Sequence, residues 1–378
     1  MNLLATIKSG ICFRGEEMFN HLHYVPILQS KRAEFTALFQ LSNHAKVRLT
    51  PLLNVIPVPW NHSADSPKTT LKAHLDKIIA YITKSWSRDD PLFLDLMYVA
   101  SNDQAIGDRH SAVYCLETLR HYSSKIIPVT GLDRDDNYQN AIKSIVRKQK
   151  MGCCFRINQD ELDDFEQLAD GFDSLLTEFN VDAASCDIVI DFQNLPLQEV
   201  LDPVTYIAGV IRAFPNVTEW RTFTIAASNF PKILEMNTDS DTLIPRAEYL
   251  LWSRIVMDEN IPRLPSFGDY SIQHPEISDL DFRKVKSSVN LRYATETDWR
   301  VYKAKEKFRY GYEQFNEICN HLINTQEYYG SDFSVGDKYI YECAKNANGP
   351  GTPEIWRRVG FNHHMTLVAR QLANFDGP

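Results

Sequence analysis

The sequence has no apolar run approaching the ~20 residues needed to cross a bilayer, and its opening, MNLLATIKSGICFRGEEMF, carries charge where a secretory leader needs an apolar stretch. A soluble, cytoplasmic protein is therefore expected, with no membrane partner. No GxGxxG or GxxxxGKS/T follows any apolar run, which removes the main signatures of nucleotide-binding open sheets. There is no GxSxG elbow and no CxxC pair, so neither a serine hydrolase nor a structural zinc site is signalled. Seven cysteines, an odd number scattered through a long acidic chain, fit reduced thiols better than a disulfide framework. Excess positive charge is missing too. The 40 Lys and Arg against 49 Asp and Glu leave a formal charge of −9, which argues against nucleic-acid binding through bulk charge.

What is present is globular. The 378 residues are 44% hydrophobic, 24% charged and 11% aromatic, which excludes disorder and low-complexity architectures. Short β-branched runs alternate eight times with amphipathic segments. The runs are Tyr24 to Leu28, Arg48 to Pro57, Leu92 to Leu96, Lys125 to Thr130, Cys153 to Ile157, Cys186 to Phe192, Trp220 to Ala227 and Leu264 to Ile272. Between the second and third, Leu71, Leu75, Ile78, Ile79 and Ile82 recur at helical spacing. The intervals are close to the ~30 or more residues of a βαβ unit. Strands apolar on both faces and separated by helices imply a parallel sheet covered on both sides. Eight units point to closure into an α/β, TIM-like (β/α)8 barrel, the alternative being an open doubly wound sheet of the same count.

After Pro275 the pattern changes. Ser288 to Tyr293 and Trp299 to Lys303 flank a polar stretch and read as a β-hairpin; Phe315 to Leu322, Val335 to Ala344 and His364 to Leu372 read as helices. The expected organisation is a lead-in over residues 1–23, a barrel over 24–275 and an α+β extension over 276–378 that packs across one barrel end and supplies the last helix.

Several stretches resemble one family. YVPILQSKRAEFTAL, IIPVTGL, CFRI, DIVIDF and IPRAEYLLW with FGDYSIQHP, then RYATETDWRVYKAK, GYEQFNEIC, YYGSDFSVGDKYIYECA and WRRVGFNHHMTLV, are similar to the Beta protein family. The resemblance runs from Tyr24 to Leu372 and implies bacterial and phage occurrence and a place in phage–host conflict. It supplies no catalytic residues.

The chemistry must come from strand ends, since barrels place ligand sites at the C-terminal ends of their strands. Charged residues inside apolar strands are costly unless paired or exposed in a cavity. Lys31, Asp95, Arg156, Asp191 and Asp269 all fall near strand ends, with Glu34 one turn beyond Lys31 and Tyr270 after Asp269. In the functional reading, Lys31 and Arg156 hold an anionic, phosphate-bearing group, with Glu34, Arg246, Tyr270 and Arg292 as further ligand contacts. Asp95, Asp191, Asp269 and His364 then act as acids or bases in phosphodiester hydrolysis, with a divalent metal optional. In the plainer reading Asp191 pairs with Arg156 and Asp95 with Lys31, and nothing is catalysed. His363 and His364 point about 100° apart on a helix, so they cannot form one face-sharing metal pair. A second functional class is a noncatalytic sensor or scaffold that meets a phage or host protein through the aromatic extension, at Trp299, Tyr312 and Trp356. The partner classes to separate are an anionic small molecule, a nucleic-acid end and a protein.

Overall fold

The computed structural model describes residues 19–100, 105–194, 202–232, 234, 236–237, 239–277 and 288–375. Residues 1–18 of the expected lead-in over 1–23 lie outside the described residues. Eight parallel strands close into a barrel: β1 (Tyr24–Gln29), β2 (Leu52–Asn54), β3 (Leu92–Asp95), β4 (Ile126–Thr130), β5 (Cys154–Asn158), β6 (Asp187–Asn194), β7 (Thr222–Ser228) and β8 (Ser266–Asp269). Every strand pairs with the next in sequence, and β8 returns to β1 with Tyr24 opposite Phe267. The open-sheet alternative is thereby removed.

Each strand is followed by a helix on the outside: α1 (Arg32–Phe39), α2 (Leu71–Ser85), α3 (Ser111–Arg120), α4 (Asp136–Gln149), α5 (Phe165–Phe179), α6 (Pro203–Ala213), α7 (Ala247–Ile255) and α8 (Pro353–Ala373). Local sequence starts them. Thr70, Asp135, Asp164, Asp202 and Thr352 cap the free N–H groups of their first turns, and Pro203 and Pro353 follow the last two caps as first-turn prolines.

Alternation along the strands sorts the side chains. Val25, Ile27, Leu52, Phe93, Ile127, Val129, Cys154, Val189 and Ala226 fill the barrel interior. Their neighbours, such as Leu28, Leu53, Leu94, Phe155, Ile190 and Phe267, pack outward under the helices. The interior is thus a packed core rather than a pore.

Helix α8 is buried on almost every face because it lies between α1 and the extension. The extension contains the hairpin Ser288–Ala294 and Asp298–Glu306, and the helices Gln314–Leu322 and Val335–Ala344 pack with it around Tyr293, Phe315, Cys319, Ile340, Cys343 and Trp356. The hairpin becomes a three-stranded sheet by taking Ser240–Pro245, which leaves the barrel between β7 and α7 and pairs antiparallel with Asp298–Glu306. The extension therefore draws on chain from both sides of residue 275.

Candidate functional site

The mouth layer is set by a count of two. Gln29, Asn54, Asp95, Arg156 and Asp191 each lie two residues past an interior hydrophobe, namely Ile27, Leu52, Phe93, Cys154 and Val189, so they share its face one layer nearer the strands' C-terminal ends. Tyr270 joins them from just after β8. Arg156 is the hub. Its Nε and Nη2 donate to Asp191 Oδ2 at 3.0 and 2.6 Å. Its Nη1 donates to Asn54 Oδ1 at 2.7 Å and Asp95 Oδ2 at 2.8 Å, and Nη2 donates also to Tyr270 at 2.9 Å. The hydroxyl of Tyr270 in turn donates to Asp191 Oδ2 at 2.5 Å.

A guanidinium has five N–H donors, and these contacts use all five. Both carboxylates are engaged at their other oxygens as well: Asp95 Oδ1 accepts from Met97 N at 3.0 Å and Asp191 Oδ1 from Gln193 N at 2.9 Å. Burial alone would lower the pKa of Arg156, but Tyr270, Asp191 and Asp95 drive it well up, while burial and Asp191 drive the Tyr270 phenol well up. Arg156 is thus a permanent cation locked to its neighbours. The pairing of Asp191 with Arg156 is the ion pair of the plainer reading; Asp95 pairs with Arg156 and Arg134, rather than with Lys31.

Arg134 is the mouth residue the sequence reading missed. It follows β4 in Gly131-Leu132-Asp133-Arg134, and its side chain is 6% exposed. It bonds Asp133 through Nη1, its Nη2 stands 3.6 Å from Asp95 Oδ2, and its buried Nε has no hydrogen-bond partner. A strand-end glycine with a cation three residues on was the available signal. Gln29 and Asn54 are further mouth residues that the sequence reading did not single out.

Beside the network lies a groove of about 670 Å³ at the same barrel end, between the β2–α2 and β3–α3 connections. Trp60, Pro57, Pro67 and Leu71 line one part and Tyr98 and Val99 the other. The phenol of Tyr98 is raised by burial and feels Arg156, Asp95, Asp191 and Arg134, which ties the groove electrostatically to the network.

Five expected site residues lie elsewhere. Asp269 follows Gly268 and sits two residues past outward-facing Phe267, so it points under the helices. There it accepts from Tyr24 at 2.5 Å and binds His364 Nε2 at 2.7 Å, with all three side chains at most 1% exposed. His364 is therefore a core histidine joining α8 to β8, far from solvent. Arg246 is fully buried and its Nη1 bonds the carbonyls of Thr295 and Glu296 and Gln371 Oε1, so it fastens α7 to the hairpin and α8. Arg292 donates to the carbonyl of Ile272 at 2.6 Å and stacks over Phe230. Glu34 is buried on α1, where desolvation pushes its carboxyl up to about 7 and neither oxygen has a partner. Lys31 stands at the N-cap of α1, at the end of β1. Of the aromatics offered as a partner surface, Trp299 and Trp356 are buried at 0% and 4% exposure and Tyr312 packs partly buried against the extension's core, so they support its fold.

Among the described residues no three His, Cys, Asp or Glu side chains converge to hold a metal ion, and no helix is long and apolar enough to cross a membrane. The model of the Beta protein family matches residues 24–370. The chain belongs to the Beta protein family. No curated protein sequence matches it. Among solved structures, it is similar to a type I 3-dehydroquinate dehydratase from Clostridium difficile carrying covalently modified comenic acid. That match has 11% identity and a TM-score of 0.36, over 69% of this chain and 89% of the other. The barrel itself is established by the strand order and pairing, not by that likeness.

Proposed function

We propose that this Beta protein is a binding barrel for an anionic, phosphate-bearing ligand at the C-terminal ends of its strands, with Arg134 rather than Arg156 as the principal donor. The observation that carries this reading is the contrast between two arginines: Arg156 spends all five donors on protein acceptors, whereas Arg134 keeps a buried Nε without a partner. A buried donor left unsatisfied costs ~1–3 kcal/mol, which a ligand oxygen would recover. Binding is favoured over phosphodiester hydrolysis because Asp95 and Asp191 are both engaged at both oxygens, leaving neither as a ready general base. The family resemblance suggests that such a ligand is produced or consumed in phage–host conflict.

The test is calorimetric titration with inorganic pyrophosphate, alongside turnover of bis(p-nitrophenyl) phosphate with and without magnesium. Saturable binding that disappears in a folded Arg134→Gln variant, without turnover, is expected. Binding unaffected by that substitution, or turnover that Asp191→Asn abolishes, would overturn the reading. Plaque counts on cells expressing wild type or Arg134→Gln test the biological setting.

A further inference from the structure

The groove beside the network carries the proposal further. Of the six tryptophans, Trp86, Trp220, Trp252, Trp299 and Trp356 are at most 4% exposed, and Trp60 alone is open, at 44%. Trp60 does not stand singly on the surface: it lines a groove together with a second exposed ring. Tyr98, 36% exposed, lines the same groove.

The backbone under Trp60 is stiff. Pro57 and Pro59 precede it, Trp60 pairs with Pro67 and Asn61 with Ser66 in a short antiparallel ladder, and Lys68 N donates to the Pro59 carbonyl at 2.8 Å. The backbone that carries the ring is therefore ordered before any ligand arrives, which limits the ordering cost of binding. The volume is within the ~300–1,000 Å³ usual for small-molecule sites. Along one wall run Thr69, Thr70 and Leu71, the start of the 15-residue α2, whose N-terminus presents the positive end of the helix dipole. Aromatic faces, a positive helix end and the nearby Arg134 are complementary to a flat ring joined to an anion.

We infer that the groove takes the base of a nucleoside phosphate, stacked on Trp60 and Tyr98, with its phosphate directed toward the α2 N-terminus and Arg134. This rests on the anion-binding reading and adds the ligand class. The chemistry is shared by a free nucleotide and by the phosphorylated end of a nucleic-acid strand, and the test has an arm for each.

The experiment follows Trp fluorescence and heat in the full chain, with ADP, pyrophosphate and a 5′-phosphorylated tetranucleotide as probes. Trp60 reports directly, since base stacking quenches an exposed indole. ADP is expected to bind at least about tenfold tighter than pyrophosphate, in keeping with the strength of base stacking on an aromatic ring. Trp60→Ala and Tyr98→Ala should remove that advantage while leaving pyrophosphate affinity unchanged, and Trp60→Phe should restore most of it. Tetranucleotide binding tighter than ADP would assign the strand end, and the reverse would assign the free nucleotide. Equal affinities for ADP and pyrophosphate, indifferent to both aromatic substitutions, would overturn the base pocket and leave the anion reading standing. Failure of all three probes to bind would overturn both.

Discussion

Arg156 gives two of its N–H groups to a single oxygen, Oδ2 of Asp191, on the adjoining strand β6. Removing the hub leaves Asp95 and Asp191 buried at the mouth without their shared cation. Arg156→Met is expected to cost about 3–5 kcal/mol of unfolding free energy, the usual penalty for stranding one side of a buried ion pair. Adding Asp191→Leu and Asp95→Leu to that variant should recover most of it. Urea denaturation of the single and triple variants decides the matter, and a single-variant loss under about 1 kcal/mol would contradict it.

The neighbours His363 and His364 fasten α8 in two directions: His363 to Asp337 and the Ala294 carbonyl in the extension, both at 2.8 Å, and His364 to Asp269 in the barrel. Asn362 completes the joint, accepting from Gly336 N at 2.9 Å and donating to the Ala37 carbonyl at 3.2 Å. Asn362→Ala strands both backbone groups and should destabilise by about 2–4 kcal/mol. The exposed Arg32–Glu354 pair joins α1 to α8 as well, yet Arg32→Ala should cost far less than Asn362→Ala, because solvent screens the pair. Thermal unfolding of the two variants side by side tests the ranking.

Two carboxyls make the protein sensitive to alkali. Desolvation, aided by Asp269, pushes Glu248 up to about 8, and desolvation pushes Glu34 up to about 7, against an ordinary value of 4.5. From pH 6.5 to 8 the native state therefore holds more protons than the unfolded chain, so stability falls as pH rises. The drop should be about 2 kcal/mol, and Glu34→Gln with Glu248→Gln should flatten it. His364 and Asp269 are both shifted down, so their contribution is lost as pH falls, below the ordinary histidine value for the first and the ordinary aspartate value for the second. Chemical denaturation at half-unit pH steps checks the sign; a slope of opposite sign above pH 6.5 would refute it.

Two glycines should respond oppositely to alanine. Gly152, between α4 and β5, has φ +73°, and an added Cβ would lie 1.8 Å from the carbonyl oxygen of Ser185. Gly152→Ala should cost more than about 3 kcal/mol, since neither backbone can yield cheaply. Gly209 is exposed within α6 with nothing near its Cβ position, so Gly209→Ala should add about 0.5–1 kcal/mol. Denaturation midpoints of the two variants measure both.

The barrel was legible because each strand is apolar on both faces and each helix striped, so Leu71 to Ile82 and Leu92 to Asp95 announce themselves. The site was half legible. Asp95, Arg156 and Asp191 converge as their strand-end positions suggest, but counting residues from the nearest interior hydrophobe would have shown that Asp269 faces outward. Arg134 escaped because it lies in a connection, where no periodicity marks it. The strand Ser240–Pro245 escaped because only its pairing with Asp298–Glu306 makes it one. Expecting a helix only from His364 overlooked three turns of α8, since a helix buried on nearly every face has no apolar stripe to read.

That helix has a consequence for biosynthesis. The pairs that seat α8 on α1 span 322 and 325 residues of sequence. At about 5–20 residues per second on the ribosome, α1 emerges on the order of tens of seconds before the helix that covers it. Through that interval β1 and β8 lack the Tyr24–Asp269–His364 clasp, and the outer face of α1 has no permanent cover. The first barrel helix thus waits for its seat on a partner more than 300 residues further along the chain.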